Sequence, residues 1–574
     1  MPYVWQLRDQ SVKPPSKTSD SATIVNALLA ERGITSDEER DLFLHPDYYR
    51  DVHDPFLFAA MRKVVDRISQ AITENESIVV YADYDADGVC SAAVLVSSLK
   101  ALGANAVTVY IPHREEEGYG LNTKAIEKFI AAGVNLLITL DCGTTNIAEI
   151  ALASESGIEV IVIDHHHVPE EMPNSYALLN AKMSNETYPY IHLASVGMAF
   201  KVSSALFKDR VANNPDELEK WNIFEKWLLD LVAIATVTDL VPLHGENRVL
   251  LIYGLLVLNK TKRPGLAALV ALSGGTLGNL TAESIAFQIG PRINAAGRMG
   301  DAMKAYELLM ADNEEDAIRL AKVLDESNRA RQRLTQEVTS AATKALANNE
   351  NKNVLVAVGD DWPIGLVGLV ASRLLERHNR PVLVISRTSS GLVGSGRSVP
   401  QFNIIEAMHA VPELFIKFGG HAQACGFTLP DDNAVEKLTK HLNELASKKF
   451  FEGMQGPVLA LSAVLELRHI NDDFFQSLQQ FEPFGMENKR PIFLFGGVSV
   501  VSCSAVGAEK KHLKLMLSDN QGHVATGIGF KLGSWYKKLS LGEPIDLAAE
   551  IIQNEWRGNY DVQLRIIDIR KALP

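Results

Sequence analysis

The sequence predicts a multidomain α/β protein: a parallel-sheet unit, a second α/β unit joined to it by a long helix, and a C-terminal OB-type β-barrel. Three observations carry that reading. Short β-branched runs alternate with helical stretches from residue 53 onward, which implies parallel strands with helices on both faces. Residues 301–350 lack Pro and are rich in Ala, Leu, Glu, Arg and Lys, as a long connecting helix or a pair of helices would be. After Gly456 the chain breaks into short strand-like runs punctuated by Gly, Asn and Asp. At 574 residues the chain is also too long for one hydrophobic core.

Taken in order, residues 1–52 are mixed and polar, with Pro14, Pro15 and Pro46, and read as an N-terminal extension. The first α/β unit spans 53–275. It has strands at Ser77–Tyr81, Ala106–Ile111, Leu136–Leu140 and Glu159–Ile163, with helices at Gly88–Leu102 and Asn146–Ser156. Residues 276–350 form the helical connection, and the second α/β unit covers 351–450, beginning at VLVAVGD and including the strand Pro381–Ile385. In 456–574, runs such as VLALSAVLEL, PIFLFGGVSVVS and HLKLMLS suggest a small barrel, although composition alone does not separate a barrel from a sandwich. There is no internal repeat.

Composition narrows the class. Apolar content of 47% with 22% charged residues is that of an ordinary globular chain. The most apolar stretch, Trp227–Leu243, is interrupted by Asp230 and Asp239, so no spanning helix and no membrane association is expected. The N-terminus lacks the layout of an export signal. Four scattered cysteines (Cys90, Cys142, Cys425 and Cys503) form no CxxC pair, which argues against a disulfide frame or structural zinc and for a reducing, cytoplasmic location. The net charge of −14 does not exclude nucleic acid, because binding depends on a local basic groove.

The chemistry lies where the acidic residues fall. Asp83-Tyr84-Asp85-Ala86-Asp87-Gly88 follows the first strand, Asp141 ends LLITL, and Asp164-His165-His166-His167 ends EVIVI. In an open parallel sheet the carboxyl ends of the strands share one edge, where ligands bind. Asp239 is a fourth candidate, since an aspartate on so apolar a segment is costly unless paired or metal-bound. DYDADG also resembles the start of a calcium loop, but position twelve is Val94 instead of Glu and a strand precedes it. Asp141 alone could be a helix cap, and a lone histidine is usually structural; three consecutive histidines at a strand end are harder to dismiss. Carboxylates and imidazoles without thiolates favour Mn²⁺ or Mg²⁺, and so many ligands suit two ions about 3.5–4 Å apart. That pairing suits in-line attack on phosphorus.

These residues resemble the DHH phosphoesterases: DYDADG, Asp141 and Asp164-His165-His166 match their motifs, and Gly419-Gly420-His421 is similar to the motif of the accompanying DHHA1 domain. The chain is similar to the RecJ branch of single-strand-specific 5′→3′ exonucleases through PHREEEGYGL, DLVAIATVTDLVPL, PRINAAGRMG, GSGRS, FEPFGMENKRPIF and WRGNYDVQLRIIDIR. The resemblance implies metal binding by Asp83, Asp85, Asp141, His165 and Asp239. It implies catalytic roles for Asp83, Asp85, Asp141 and His166, the histidine contacting the scissile phosphate. Arg114, Tyr119, Arg298, Ser395, Arg397 and His421 would hold the strand, though His421 could equally serve domain packing. Asp87 could join the ligands or simply shape its loop, and His167 could be solvated; the sequence leaves both roles open. Ala82, Asn180-Ala181-Lys182, Gln423 and Cys425 depart from the family pattern without removing a ligand.

The implied activity is two-metal hydrolysis of single-stranded DNA from its 5′ end, releasing 5′-mononucleotides in repair and recombination. Single-stranded DNA is the expected partner, with single-strand-binding protein and a RecQ-type helicase implied by resemblance, for a monomer. Two rivals stand beside it: a relative that cleaves short oligonucleotides or cyclic dinucleotides, and a non-catalytic DNA-binding scaffold. The C-terminal strands favour long substrates over the first, and the filled ligand positions oppose the second.

Overall fold

The computed structural model describes residues 3–8, 20–347, 352–389, 391–449, 456–556 and 559–572; Pro14, Pro15 and Arg557-Gly558 of the terminal motif lie outside them. The chain divides into two compact units, one of residues 48–241 and 246–454, the other of residues 1–47, 242–245 and 455–574.

The larger unit holds both α/β layers. Its first sheet is five parallel strands in the order Val107–Tyr110, Ile78–Ala82, Leu136–Leu140, Glu159–Ile163, Ala177–Leu179. The central strands IVVYA and LLITL are buried at every position, because helices cover both faces and leave no side for polar residues. Four of the strands lie where the β-branched runs predict. The three-residue Ala177–Leu179 has too little sequence to show a period. The helices Ala86–Ala101 and Ser195–Asn213 are buried over most of their length, which explains their small and apolar composition. Asp230, inside the apolar stretch, is satisfied by Thr261 at 2.8 Å and Arg263 at 3.3 Å.

The connection is a pair of helices, Ala302–Met310 and the 33-residue Glu314–Leu346, separated where Asn313 caps the second through the Asp316 amide. The second sheet runs Lys417–His421, Ala424–Leu429, Gly391–Arg397, Val382–Thr388, Leu355–Asp360; only its last pair is parallel. Alternate residues of its strands face two cores. Leu355, Ala357, Val382 and Val384 pack with Val367, Val370 and Leu374 of the helix Ile364–His378, while Leu383 and Ile385 pack with Leu438 and Leu442 of Asp432–Lys449.

In the smaller unit the strands close into a barrel. Phe493–Val506 pairs with His512–Ser518; Val524–Gly529, Asn559–Lys571 and Pro544–Trp556 follow, and the last pairs back on Phe493–Val506. Register shifts at Phe495/Val498 and Val500/Ser502 bend this 14-residue strand so that it serves both neighbours, which decides barrel over sandwich. The N-terminal stretch read as a polar extension is partly built into this core. The helices Ser21–Glu31 and Asp37–Leu44 supply Ile24, Leu28, Leu29 and Phe43, and Val4–Leu7 pairs in parallel with Val458–Leu461. Its last residues, Tyr48–Asp51, form a short helix of the larger unit. Among the described residues no helix is long and apolar enough to cross a membrane.

Candidate active site

The edge formed by the carboxyl ends of the first sheet's strands gathers the acidic residues. Asp83 leaves the strand Ile78–Ala82 and is buried, and Asp85 caps the helix that follows by accepting from the amides of Asp87 (2.8 Å) and Gly88 (3.2 Å). Gly88 is required by close approach: a Cβ there would lie 2.3 Å from the carbonyl oxygen of Asp83. The glycine of DYDADG therefore folds the helix start back on the loop instead of completing a calcium turn. Asp141 sits at φ +62°, a left-handed conformation that aspartate tolerates better than most residues, and accepts from Ser195 Oγ at 3.1 Å.

His165 is the hub. Its Nε2 lies 3.3 Å from Asp141, 3.5 Å from Asp239 and 3.8 Å from Asp87. Three sets could each hold an ion with ligand atoms within 4.8 Å of one another: Asp83/Asp85/Asp141, Asp87/His165/Asp239 and Asp141/His165/His166. The five residues expected as ligands are thus brought together, Asp239 from the C-terminal end of the helix Leu229–Thr238.

The electrostatics fit a site for a divalent cation. Burial, and next the neighbouring carboxylates, push Asp83 and Asp141 well above the ordinary range, Asp87 to about 7 and Asp239 to about 9. Burial above all lowers His165 to about 3, so it is a neutral imidazole, and its Nε2 has no hydrogen-bond partner. Asp83 Oδ1 is also buried and unpartnered. A neutral nitrogen among several converging carboxylates, with His165 Nε2 and Asp83 Oδ1 left without hydrogen-bond partners, is the environment a hard divalent cation satisfies.

His166 is held differently. Its Nδ1 lies 2.8 Å from Asp164 Oδ1, and Tyr119 Oη lies 3.2 Å from that nitrogen while donating to the Asp141 carbonyl at 3.2 Å. Burial alone would lower the His166 pKa, but the Asp164 hydrogen bond and charge raise it. Asp164 also accepts from the amides of Thr144 (3.0 Å) and His166 (3.1 Å). His167 is exposed.

Of the expected strand-binding residues, Arg298, Ser395 and Arg397 reach one helix, Ile364–His378. The Arg114 guanidinium lies 4.9 Å from the Tyr84 ring, and Tyr119 is 49% exposed, its ring edge-to-face with that of His166. Arg298 ends the helix Gly290–Arg298 and donates to the Gly365 carbonyl at 3.1 Å, at the start of the helix Ile364–His378. One turn on, a Cβ at Gly368 would lie 3.2 Å from Arg397 and 3.3 Å from Ser395, so these two reach the same helix. Arg397 donates to Ser395 Oγ at 3.0 Å. His421 is exposed at the end of a hairpin strand and makes no contact with this group among the described residues.

Several positioning residues escaped sequence reasoning. Asp164 carried a readable signal, a carboxylate at a strand end, but its histidine neighbours drew the attention. Asp87 accepts from the amides of Ser195 (2.8 Å) and Val196 (2.9 Å), tying a distant helix start to the loop as well as facing His165. Asn294 accepts from the Ala86 amide at 2.8 Å, and a Cβ on Gly297 would lie 2.2 Å from the Tyr84 carbonyl oxygen. The NAAGR segment thus clamps DYDADG and also supplies Arg298.

Family models match in three places: the DHH family N-terminal domain over residues 77–236, the DHHA1 domain over 351–448 and the RecJ OB domain over 461–568. The chain is 36% identical over 570 residues to the single-stranded-DNA-specific exonuclease RecJ of Bacillus subtilis, covering 98% of this chain and 70% of that protein. It is 31% identical over 584 residues to the RecJ of Escherichia coli, covering 98% and 99%. The Mn²⁺ complex of RecJ from Thermus thermophilus superposes with a TM-score of 0.79 at 27% identity, over 99% of this chain and 80% of that one. With three consecutive domain matches and relatives aligned along almost its whole length, the chain belongs to the RecJ family.

Proposed function

We propose that this protein is a single-stranded-DNA-specific exonuclease that hydrolyses phosphodiester bonds from the 5′ end and releases 5′-mononucleotides. The observation that carries it is the convergence of Asp83, Asp85, Asp141, His165 and Asp239 at one sheet edge with buried ligand atoms left unpartnered. Relatives named for this activity support the reading, as do the manganese- and magnesium-bound RecJ structures from Thermus thermophilus.

In this reading Asp83, Asp85, Asp141, His165 and Asp239 hold two divalent cations, Mn²⁺ or Mg²⁺. When bound, such ions lower the pKa of water and neutralise charge developing on the phosphoryl oxygens. Neutral His165 offers a lone pair at Nε2. His166, with Nδ1 engaged by Asp164, presents the rest of its half-exposed ring to the scissile phosphate and assists departure of the leaving oxygen. Arg114, Arg298, Ser395 and Arg397 grip phosphates near the 5′ end through charge-assisted hydrogen bonds, and Tyr119 stacks on a base, worth about 1–3 kcal/mol. The barrel offers the strand a further surface. Single-strand-binding protein and a helicase as partners, a monomeric state and a role in repair and recombination complete the reading.

The test is digestion of labelled single-stranded and blunt duplex DNA with Mn²⁺. Single strands should shorten from the 5′ end while duplex persists, and Asp141→Ala should abolish the reaction. Equal digestion of both substrates would refute the selectivity, and an active Asp141→Ala would refute the metal centre.

A further inference from the structure

Three consecutive glutamates, Glu115-Glu116-Glu117, stand in the loop that carries Arg114 and Tyr119, where their charge would repel a phosphate strand. Glu115 and Glu116 are exposed, but Glu117 is partly buried. Its carboxylate accepts from Tyr110 Oη at 2.6 Å, the His113 amide at 2.7 Å and Asn122 Nδ2 at 3.3 Å. Those donors span the loop. Tyr110 ends the strand Val107–Tyr110, His113 lies within the loop, and Asn122 caps the helix Thr123–Ala131. The Glu117 amide also donates to the His113 carbonyl at 2.8 Å, closing a single turn that contains Arg114. Burial alone would raise the Glu117 pKa, but the hydrogen bonds from Tyr110, His113 and Asn122 bring it below the ordinary value, so the group is a carboxylate.

The backbone on either side of this carboxylate is fixed as well. Tyr81 Oη donates to the Gly120 carbonyl at 2.8 Å, and Asn146 Nδ2 donates to that of Leu121 at 3.1 Å. A Cβ on Gly120 would lie 2.8 Å from Asn146 Oδ1. At the other side, a Cβ on Gly300 would lie 2.5 Å from His113 Nε2, so His113 packs two residues beyond Arg298. The protein's own contacts therefore shape the loop, which spares strand binding the cost of ordering it.

We propose that Glu117 is a positioning residue for the strand: by gathering both ends of its loop it presents Arg114 to a phosphate and Tyr119 to a base. This deepens the single-strand reading above and rests on it. The sign of the effect is distinctive. If charge alone mattered, removing an acid from this loop would tighten binding; if position matters, removing this acid loosens it.

The test measures binding of a labelled oligothymidylate to the full-length protein in EDTA across a salt series, beside kcat and KM for nucleotide release with Mn²⁺. Glu117→Ala should weaken binding and raise KM roughly tenfold or more, as loss of a charge-assisted acceptor does. It should also flatten the plot of log affinity against log salt by about 0.7, the value of one phosphate contact on a single strand. The change in kcat should stay under about threefold, since Asp164 holds His166 without the loop. Glu117→Gln, with an oxygen for the His113 amide and an NH₂ group for the Tyr110 oxygen, should restore most of the affinity. Glu115→Ala and Glu116→Ala should not weaken binding. Tyr110→Phe should weaken it severalfold and add nothing to Glu117→Ala, because both break one contact. Equal or tighter binding by Glu117→Ala would overturn the proposal, as would a fall in kcat with normal affinity or no rescue by Glu117→Gln. If Glu117→Ala does not fold, Tyr110→Phe decides alone, and unchanged affinity there overturns it. Failure of the unaltered protein to bind the oligonucleotide would overturn the single-strand reading and this proposal with it.

Discussion

Asp164→Asn separates holding a metal from orienting a histidine. Asp164 belongs to none of the three sets that could hold an ion, yet it accepts three hydrogen bonds, from Thr144 N (3.0 Å), His166 N (3.1 Å) and His166 Nδ1 (2.8 Å). Asparagine keeps one acceptor oxygen and replaces the other with an NH₂ group. If the retained oxygen stays on His166, the amide nitrogen faces the Thr144 N–H, donor against donor, in a site only 1% exposed. An unpaired buried donor costs about 1–3 kcal/mol, and turning charge-assisted bonds into neutral ones costs about 1 kcal/mol more. The expected loss of stability is therefore about 2–4 kcal/mol. The histidine also loses the carboxylate that fixes its ring and raises its pKa, so kcat should fall about 10²–10⁴-fold, as when a general acid is disabled. Stability is read by urea denaturation, metal binding by Mn²⁺ titration calorimetry and kcat by nucleotide release from single-stranded DNA. The argument requires a large fall in kcat with two Mn²⁺ still bound. A normal kcat, or loss of Mn²⁺ with the histidine's function intact, would refute the division of roles.

Asp141→Asn should eliminate Mn²⁺-dependent hydrolysis while raising thermal stability in EDTA, because burial and neighbouring carboxylates already disfavour its charge; a lower melting temperature in EDTA would count against the electrostatic account. Gly297→Ala should destabilise the protein by about 1–3 kcal/mol and lower kcat, since the added Cβ would lie 2.2 Å from the Tyr84 carbonyl oxygen; wild-type denaturation and kinetics would show that the clamp is dispensable. Asp230→Ala should cost about 3–5 kcal/mol by leaving the Arg263 charge unpartnered, without altering Mn²⁺ affinity; calorimetry and denaturation together check this.

The ligands were legible because sheet position is a local property. A β-branched run ending in aspartate announces both the strand and the edge its acid will reach, and Asp83, Asp141 and the Asp164–His166 segment all followed that rule. Asp239 was legible for another reason, the cost of a carboxylate on an apolar helix. The helix pair, the barrel strands and the arginines of NAAGR and GSGRS were likewise visible as runs and motifs. The roles of Asp87, Ser195 and Asn294 were not. Asp87 could be read only as a ligand or a loop acid, since nothing near it in sequence says that its acceptors will meet the amides of Ser195 and Val196.

The sequence by itself determined the element types, the α/β character and the identity of the acids and imidazoles, because periodicity and strand-end chemistry act within a few residues. Only the tertiary structure decided that a bent strand closes the barrel, that N-terminal helices share its core, and that His165 faces three carboxylates while His166 turns to Asp164. Apart from the His166–Asp164 contact, which spans two positions, those outcomes depend on contacts between residues tens to hundreds of positions apart. Burial and hydrogen bonding select such contacts jointly, and no local pattern encodes them.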